Sequence, residues 1–320
     1  MLLNLLLLAG GLALLVWSAD RFVYGAAGIA RNLGLPSLII GLTIVSMGSS
    51  APEMMVSATA ALEGRGDTAI GNVLGSNIAN ITFILGATAL LRPLVVSSTT
   101  LKREMPLMMV GTLLAGYLLS DLELSRSDGL VLLVAFVVIL GFLCVQAWQN
   151  RDTDPLAQES DDEIPKDLST PKALLWLALG MALLPLASGW MVDGAVGIAQ
   201  WFGMSDLVIG LTIIAVGTSL PELAACVAGV LKNEDDLAIG NVVGSNLFNI
   251  LAVLAIPALL APGQVDANAA GRDLYMMLAT SLAPLLLLWM KKRQVLGRIE
   301  GIILLVVFIA YQGMLFSQAG

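Results

Sequence analysis

Two glutamates stand where an apolar chain has little use for charge. Residues 41–55 read GLTIVSMGSSAPEMM and residues 210–224 read GLTIIAVGTSLPELA, each inside a long hydrophobic stretch. A carboxylate in the hydrocarbon interior costs about 2.5 kcal/mol or more, so Glu53 and Glu222 point to function. Their neighbours are hydroxyls. Taken as a helix, Thr43, Ser46, Ser50, Glu53 and Ser57 step by 3, 4, 3 and 4 and share one face, with Ser49 adjacent; Thr212, Thr218, Ser219 and Glu222 repeat the stripe. Pro52 and Pro221 lack an N–H, and Gly48 and Gly217 loosen the same turns. Both helices are therefore expected to break and leave carbonyls free near residues 46–49 and 215–218. Such backbone is tolerated at membrane depth only where protein or a wet cavity surrounds it.

A second wall comes from GNVLGSNIANI at 71–81 and GNVVGSNLFNI at 240–250. Asn72, Ser76 and Asn80 fall at i, i+4 and i+8, as do Asn241, Ser245 and Asn249, giving one polar face each. Gly71 and Gly75, like Gly240 and Gly244, form G-x-x-x-G pairs that admit a close neighbour. The pooled donors are two carboxylates, hydroxyls, amide oxygens and backbone carbonyls. Hard oxygens suit Ca²⁺, Na⁺ or Mg²⁺ over transition metals. Ca²⁺ accepts roughly six to eight of them at about 2.3–2.6 Å in loose geometry. Two carboxylates balance one divalent or two monovalent ions, which is the equivalence an antiporter uses. Blander roles remain open for some positions. Thr43, Ser57 and Thr212 can bond a carbonyl four residues back, and Asn72 and Asn241 can be helix–helix glue. Asp193 and the adjacent Asp20 and Arg21 fall near helix ends and receive no site role.

The elements that must position these groups follow from composition. Of 320 residues, 58% are hydrophobic and 12% charged, with mean hydropathy +0.88. A soluble domain carries about 25% charge, so this is a membrane composition. Spans are read at about 2–31, 37–62, 67–91, 104–120, 127–148, 172–202, 206–231, 236–260, 272–290 and 299–317. Residues 1–19 hold no Lys or Arg, so the first span is expected to be a mature helix and not a signal peptide. Cys144 and Cys226 lie in spans and read as small apolar residues. With no histidine, imidazole is excluded from any ion site or proton relay. The net charge of −8 argues against nucleic acid, and much of it sits at 149–171, where seven acids face two bases. That segment reads as a solvated linker too short for a regulatory domain. If the N-terminus is outside, twelve Lys and Arg fall in cytoplasmic loops and three, Arg65, Arg126 and Arg272, in external ones. The positive-inside bias therefore places both termini outside.

Residues 38–81 align without gaps to 207–250 at an offset of 169, with 22 identities in 44 positions. The expected fold is an all-α integral membrane protein of ten transmembrane helices in two five-helix repeats, 1–150 and 172–320, joined by an acidic cytoplasmic linker at 151–171. An odd number of spans per repeat makes the second enter from the opposite side. Inverted repeats of this sort place substrate near the midplane, where the halves meet.

GSSAPE and GTSLPE, each followed by GNVLGSN or GNVVGSN, resemble the two α-repeats of the cation/Ca²⁺ exchanger superfamily. Its prokaryotic sodium/calcium exchanger-like, YrbG-type branch is the most similar, over essentially the whole chain. The resemblance implies a multi-pass plasma (inner) membrane antiporter whose long first and sixth helices slide past an ion-binding core. It implies ligands at Ser46 (by its carbonyl), Ser49, Ser50, Glu53, Ser76 and Asn80, and at Ala215 (by its carbonyl), Thr218, Ser219, Glu222, Ser245 and Asn249. Many sodium/calcium exchangers carry an acid where Asn249 stands, so this chain has two site carboxylates instead of three. The transported ions implied are Ca²⁺ and Na⁺, with H⁺ as the alternative coupling ion. No cofactor and no obligatory protein partner are expected. A channel fits less well, because pores favour symmetric rings. An enzyme fits less well still, because the chain lacks His, G-x-S-x-G and a phosphate loop.

Overall fold

In hydrocarbon the backbone has no water to bond, so it must satisfy itself, and an α-helix does so within one segment. The computed structural model, which describes residues 1–34, 46–96, 100–149, 168–231, 235–291 and 294–318, is accordingly helical almost throughout. α1 is Leu2–Asn32, α2 Ser46–Ser49, α3 Ala51–Leu62, α4 Gly66–Ala79 and α5 Leu85–Leu91. β1 (Leu94–Val95) precedes α6 (Met105–Leu118), and β2 (Glu123–Leu124) precedes α7 (Arg126–Gln149). There follow α8 (Thr170–Trp201), α9 (Asp206–Ile209), α10 (Ala215–Thr218), α11 (Leu220–Leu231), α12 (Asp235–Phe248) and α13 (Ala255–Leu260). β3 (Gly263–Gln264), α14 (Leu274–Lys291), β4 (Val295–Leu296) and α15 (Arg298–Gln318) complete the order.

Among the described residues, seven helical runs are long and apolar enough to cross a membrane: 2–32, 66–91, 126–146, 170–199, 206–231, 238–260 and 298–317. Helices at Met105–Leu118 and Leu274–Lys291 coincide with two more of the expected spans. The span expected at 37–62 is described only from Ser46, so Thr43 lies outside the described residues, as does most of the acidic linker.

Burial ranks the helices. In the 66–91 and 238–260 runs 83% of the most apolar stretch is buried, against 11% in 126–146, so the former are central and α7 faces outward. Wide single turns of π-helix recur at Asn80–Ile84 and Asn249–Val253, and again at Thr100–Glu104 and Ala269–Asp273, pairs separated by the repeat offset. A π-turn inserts one residue and rotates the rest of the helix about its axis, a device common at functional sites.

α1 and α8 run antiparallel, backbone against backbone. A Cβ added at Gly11 would stand 2.5 Å from the Met191 nitrogen, and one at Gly25 2.5 Å from the Leu177 nitrogen. In return, Gly180 meets Phe22 at 2.5 Å, and Gly194 meets the backbone of Leu8. Small residues permit this contact between two very long helices. Two short ribbons tie distant loops. Leu94 and Val95 pair antiparallel with Leu296 and Val295, and Glu123 and Leu124 with Gln264 and Gly263. Acids at the starts of two central helices hold the neighbouring backbone: Asp235 accepts from the Val95 N–H at 3.1 Å and Asp67 from the Asp266 N–H at 3.3 Å.

One charged cluster ties two helices together. Asp273, fully buried, accepts from Arg272 Nε at 2.6 Å and from the Tyr311 hydroxyl at 2.8 Å, clamping α15 to the start of α14. A hydrogen bond to a charged group contributes about 1.5–3 kcal/mol. Tyr311→Phe is therefore expected to lower the thermal unfolding midpoint of detergent-solubilised protein, which scanning fluorimetry checks.

Candidate cation-binding site

The interrupted helices are interrupted by one residue. α2 ends at Ser49 and α3 starts at Ala51, with Ser50 between them at φ −88°, ψ 5°. α10 ends at Thr218 and α11 starts at Leu220, with Ser219 at φ −82°, ψ 3°. Each proline occupies the second position of the new helix, where its missing N–H costs little. This narrows the expectation of carbonyls left free over 215–218 without removing it. The Ala215 carbonyl accepts from the Ser219 N–H at 3.1 Å, and that of Ser219 accepts from the Leu223 N–H at 3.1 Å. What the prolines withhold is narrower: neither can donate to the carbonyl four residues back, Gly48 or Gly217.

Ser50 and Glu53, like Ser219 and Glu222, have the S-x-x-E spacing of a capping box. In that motif the serine takes the N–H of the third helical residue and the glutamate reaches back. This ordinary structural use is not made of them. Ser50 makes no capping bond, and among the described residues Ser50 Oγ, Ser219 Oγ and all four oxygens of Glu53 and Glu222 are buried without a hydrogen-bond partner. Both glutamates are 0% exposed. Each lies in the first turn of its helix, where the positive end of the macrodipole offsets part of the burial cost. Two more buried oxygens lack partners, Asn80 Oδ1 and Asn249 Oδ1, each at the first residue of its π-turn.

Contacts across the chain bring these groups together. Ser49 Oγ lies 3.3 Å from Ser245 Oγ, and Ser76 Oγ 3.5 Å from Thr218 Oγ1, the same contact at the repeat offset. Thr218 and Ser219 lie beside the Glu53 carboxyl, and Ser49 and Ser245 beside that of Glu222, outside hydrogen-bond geometry but within electrostatic reach. The two carboxyls also feel each other's charge. The Asn80 turn packs on α11, which carries Glu222, and the Asn249 turn packs on α3, which carries Glu53. Among the described residues no three acidic, histidine or cysteine side chains converge, so a cation here would draw on neutral oxygens for the rest of its shell.

Several singled-out residues do other work. Asn72 Nδ2 donates to the Glu53 carbonyl at 3.2 Å and to Ser57 Oγ at 2.9 Å, while its Oδ1 accepts from Thr218 at 3.2 Å. It is glue that fixes the backbone under Glu53. Asn241 repeats the arrangement on Cys226 Sγ at 3.8 Å, Cys226 standing where the first repeat has Ser57. Thr212 bonds the Val208 carbonyl four residues back at 2.6 Å. Gly71 and Gly75 do admit a close neighbour: added Cβ atoms would stand 2.6 Å from the Leu207 oxygen and 2.7 Å from the Ala215 Cβ. A Cβ added at Gly240 or Gly244 would meet nothing within 4 Å outside its own helix among the described residues. Positions 38 and 42, at the repeat offset from Leu207 and Leu211, lie outside the described residues. Gly48 and Gly217 do more than loosen a turn, because they abut the long helices at Val23 and at Met191 and Leu12. The side chain of Ser46 lies outside the described residues. Sequence reading missed Asn77 and Asn246, both fully buried. Their identity at the repeat offset, three residues before Asn80 and Asn249, was the available signal.

The profile of the sodium/calcium exchanger protein family matches residues 3–145 and 172–316. The chain belongs to that family. The exchanger is 57% identical over 309 residues to CaxA of Alkalimonas amylolytica, covering 96% of this chain and 97% of that protein. It is 47% identical over 318 residues to the inner membrane protein YrbG of Escherichia coli, covering 99% and 98%. Among solved structures it resembles the sodium-calcium exchanger NCX_Mj soaked with Na⁺ and Sr²⁺, with TM-score 0.64, 30% identity and 97% of each chain covered. The exchanger is thus an integral membrane protein of a cation antiporter family.

Proposed function

We propose that the exchanger is a secondary active antiporter moving Ca²⁺ against Na⁺ by alternating access at one midplane site. The observation that carries this reading is the set of eight buried, unpartnered oxygens: four on Glu53 and Glu222, and one each on Ser50, Ser219, Asn80 and Asn249. Buried polar atoms are nearly always bonded, so a concentration of partnerless oxygens marks a place built for something else. Apart from the Asn249 amino group these unpartnered atoms are oxygens, and they carry two formal negative charges. One Ca²⁺ or two Na⁺ neutralises them, so each ion relieves the repulsion that the other leaves behind.

In this reading Ser49, Ser76, Thr218, Ser245 and the carbonyls of Ser46 and Ala215 complete the ligand set. The architecture is ten spans in two inverted repeats, 1–150 and 172–320, with both termini outside and the 151–171 linker in the cytoplasm. Similarity to YrbG, an inner membrane protein, supports placement in the inner membrane. Ca²⁺ is exported on the inward Na⁺ gradient, as cargo and not as a resident metal, and no enzyme activity is involved.

A second reading keeps the fold and substitutes H⁺ for Na⁺. One observation favours it: Asn249 stands where many sodium/calcium exchangers carry an acid, so a third Na⁺ would find no matching charge. Vesicles holding the full chain separate the two. An outward Na⁺ gradient at clamped pH is expected to drive uptake of radiolabelled Ca²⁺. Uptake that runs only on a pH gradient would overturn sodium coupling and leave the proton version standing.

A further inference from the structure

A carboxamide can serve a cation only by its oxygen; turned over, it presents two N–H donors and repels the ion. Something must therefore decide which end of a ligand asparagine faces the site. For Asn80 the decision can be traced. Asn246 Nδ2 donates to the backbone carbonyl of Asn77 at 3.3 Å. A carbonyl only accepts, so this bond fixes Asn246 with its Oδ1 on the other side. That Oδ1 accepts from Asn80 Nδ2 at 2.9 Å, which parks the Asn80 amino group. Asn80 Oδ1 is left buried and without a partner. All three residues are 0% exposed, so no bulk water competes for these bonds.

We propose that Asn246 is a positioning residue for cation binding, holding the Asn80 amide so that its oxygen and not its nitrogen is offered to the ion. The proposal rests on the reading of Asn80 as a cation ligand. Asn246 itself turns its oxygen to Asn80 and its nitrogen to the Asn77 carbonyl, so it acts through Asn80. The counterpart at the repeat offset is open. Asn77 Nδ2 points to Met277 Sδ at 3.5 Å, while Asn77 Oδ1 and both ends of the Asn249 amide have no partner. One ligand amide is locked and the other is loose.

A double-mutant cycle on the full chain in proteoliposomes tests this, with the Ca²⁺ KM and the maximal rate read separately. Losing the partner that orients a metal ligand typically costs 10–100-fold in affinity, so Asn246→Leu is expected to raise the Ca²⁺ KM about tenfold or more, with a much smaller change in maximal rate. An aspartate at position 80 offers oxygen from either end and has no amino group to park. In an Asn80→Asp chain, Asn246→Leu is therefore expected to move KM less than about threefold, a strong coupling between the two sites. Equal shifts in both backgrounds, or no shift in the first, overturn the proposal while leaving the transport reading intact. Failure of the unaltered chain to transport Ca²⁺ would instead defeat that reading. Asn246→Ala is carried through the same cycle as a gentler variant. Loss of the folded peak with both replacements in both backgrounds would mark Asn246 as packing alone and also overturn the proposal.

Discussion

Glu53→Gln and Glu222→Gln are each expected to abolish Ca²⁺ transport and yet leave the protein folded. The two effects come from the same fact. Each carboxylate is buried without a base or hydrogen-bond donor to compensate it, so in the ion-free protein it is a cost and not a support. Gln removes the charge at nearly constant volume. The thermal midpoint in Ca²⁺-free buffer should therefore equal or exceed that of the unaltered chain. With Ca²⁺ the order should reverse, because a ligand at 100 times its Kd adds about 2.7 kcal/mol only to a protein that binds it. A unit charge about 4 Å from another at an effective dielectric of about 20 is worth about 4 kcal/mol, and Ca²⁺ carries two, so losing one carboxylate should weaken Ca²⁺ binding at least about a thousandfold. Scanning fluorimetry with and without Ca²⁺, alongside vesicle uptake, measures both. Full uptake by either variant would remove that glutamate from the site.

Gly210→Leu is expected to prevent assembly altogether. Gly210 opens the π-turn at Gly210–Ile214 and crosses α4 at Gly71, and there the two backbones touch. A Cβ on Gly210 would stand 2.8 Å from the Asn72 nitrogen and 2.9 Å from the Gly71 Cα. A flexible side chain can yield at such distances, but a helix backbone cannot without moving the whole span. Overpacking a core costs about 1–3 kcal/mol where side chains can shift, and more where they cannot. The crossing also holds Thr68, which donates to the Asp206 carbonyl at 3.1 Å, and Asn72, which braces Glu53. Fluorescence-detected size exclusion should show no monodisperse peak for Gly210→Leu. Gly141→Ala, on an exposed face with nothing within 4 Å, should elute like the parent.

The helix edges were legible because they rest on two local signals, apolar run length and charge at the ends. The described helices at Leu2–Asn32, Arg126–Gln149 and Arg298–Gln318 fall within a few residues of the sequence reading. The severity of the helix breaks was not legible. Proline in mid-helix and proline at the second position of a new helix look alike in sequence, and only the bonds made by the Ser219 and Leu223 N–H groups tell them apart. The π-turns at Asn80–Ile84 and Asn249–Val253 left no mark, because NITFI and NILAV contain neither glycine nor proline. Packing, not propensity, selects them. Asn72 was ambiguous between ligand and glue because its partners Glu53 and Ser57 lie on the preceding helix, a pairing that spacing alone cannot reveal. Glu53 and Glu222 stood out at once as candidates, since a carboxylate inside an apolar span is costly.

The two ribbons carry a consequence for how such a molecule arises. β1 with β4 and β2 with β3 join loops from before residue 150 to loops from after residue 171, and none of those hydrogen bonds passes through the acidic linker. Two half-length chains bearing these surfaces would have backbone partners for one another without any linker. Joining them in one chain supplies high effective concentration. The halves are free to differ elsewhere, as Cys226 does where the first repeat has Ser57.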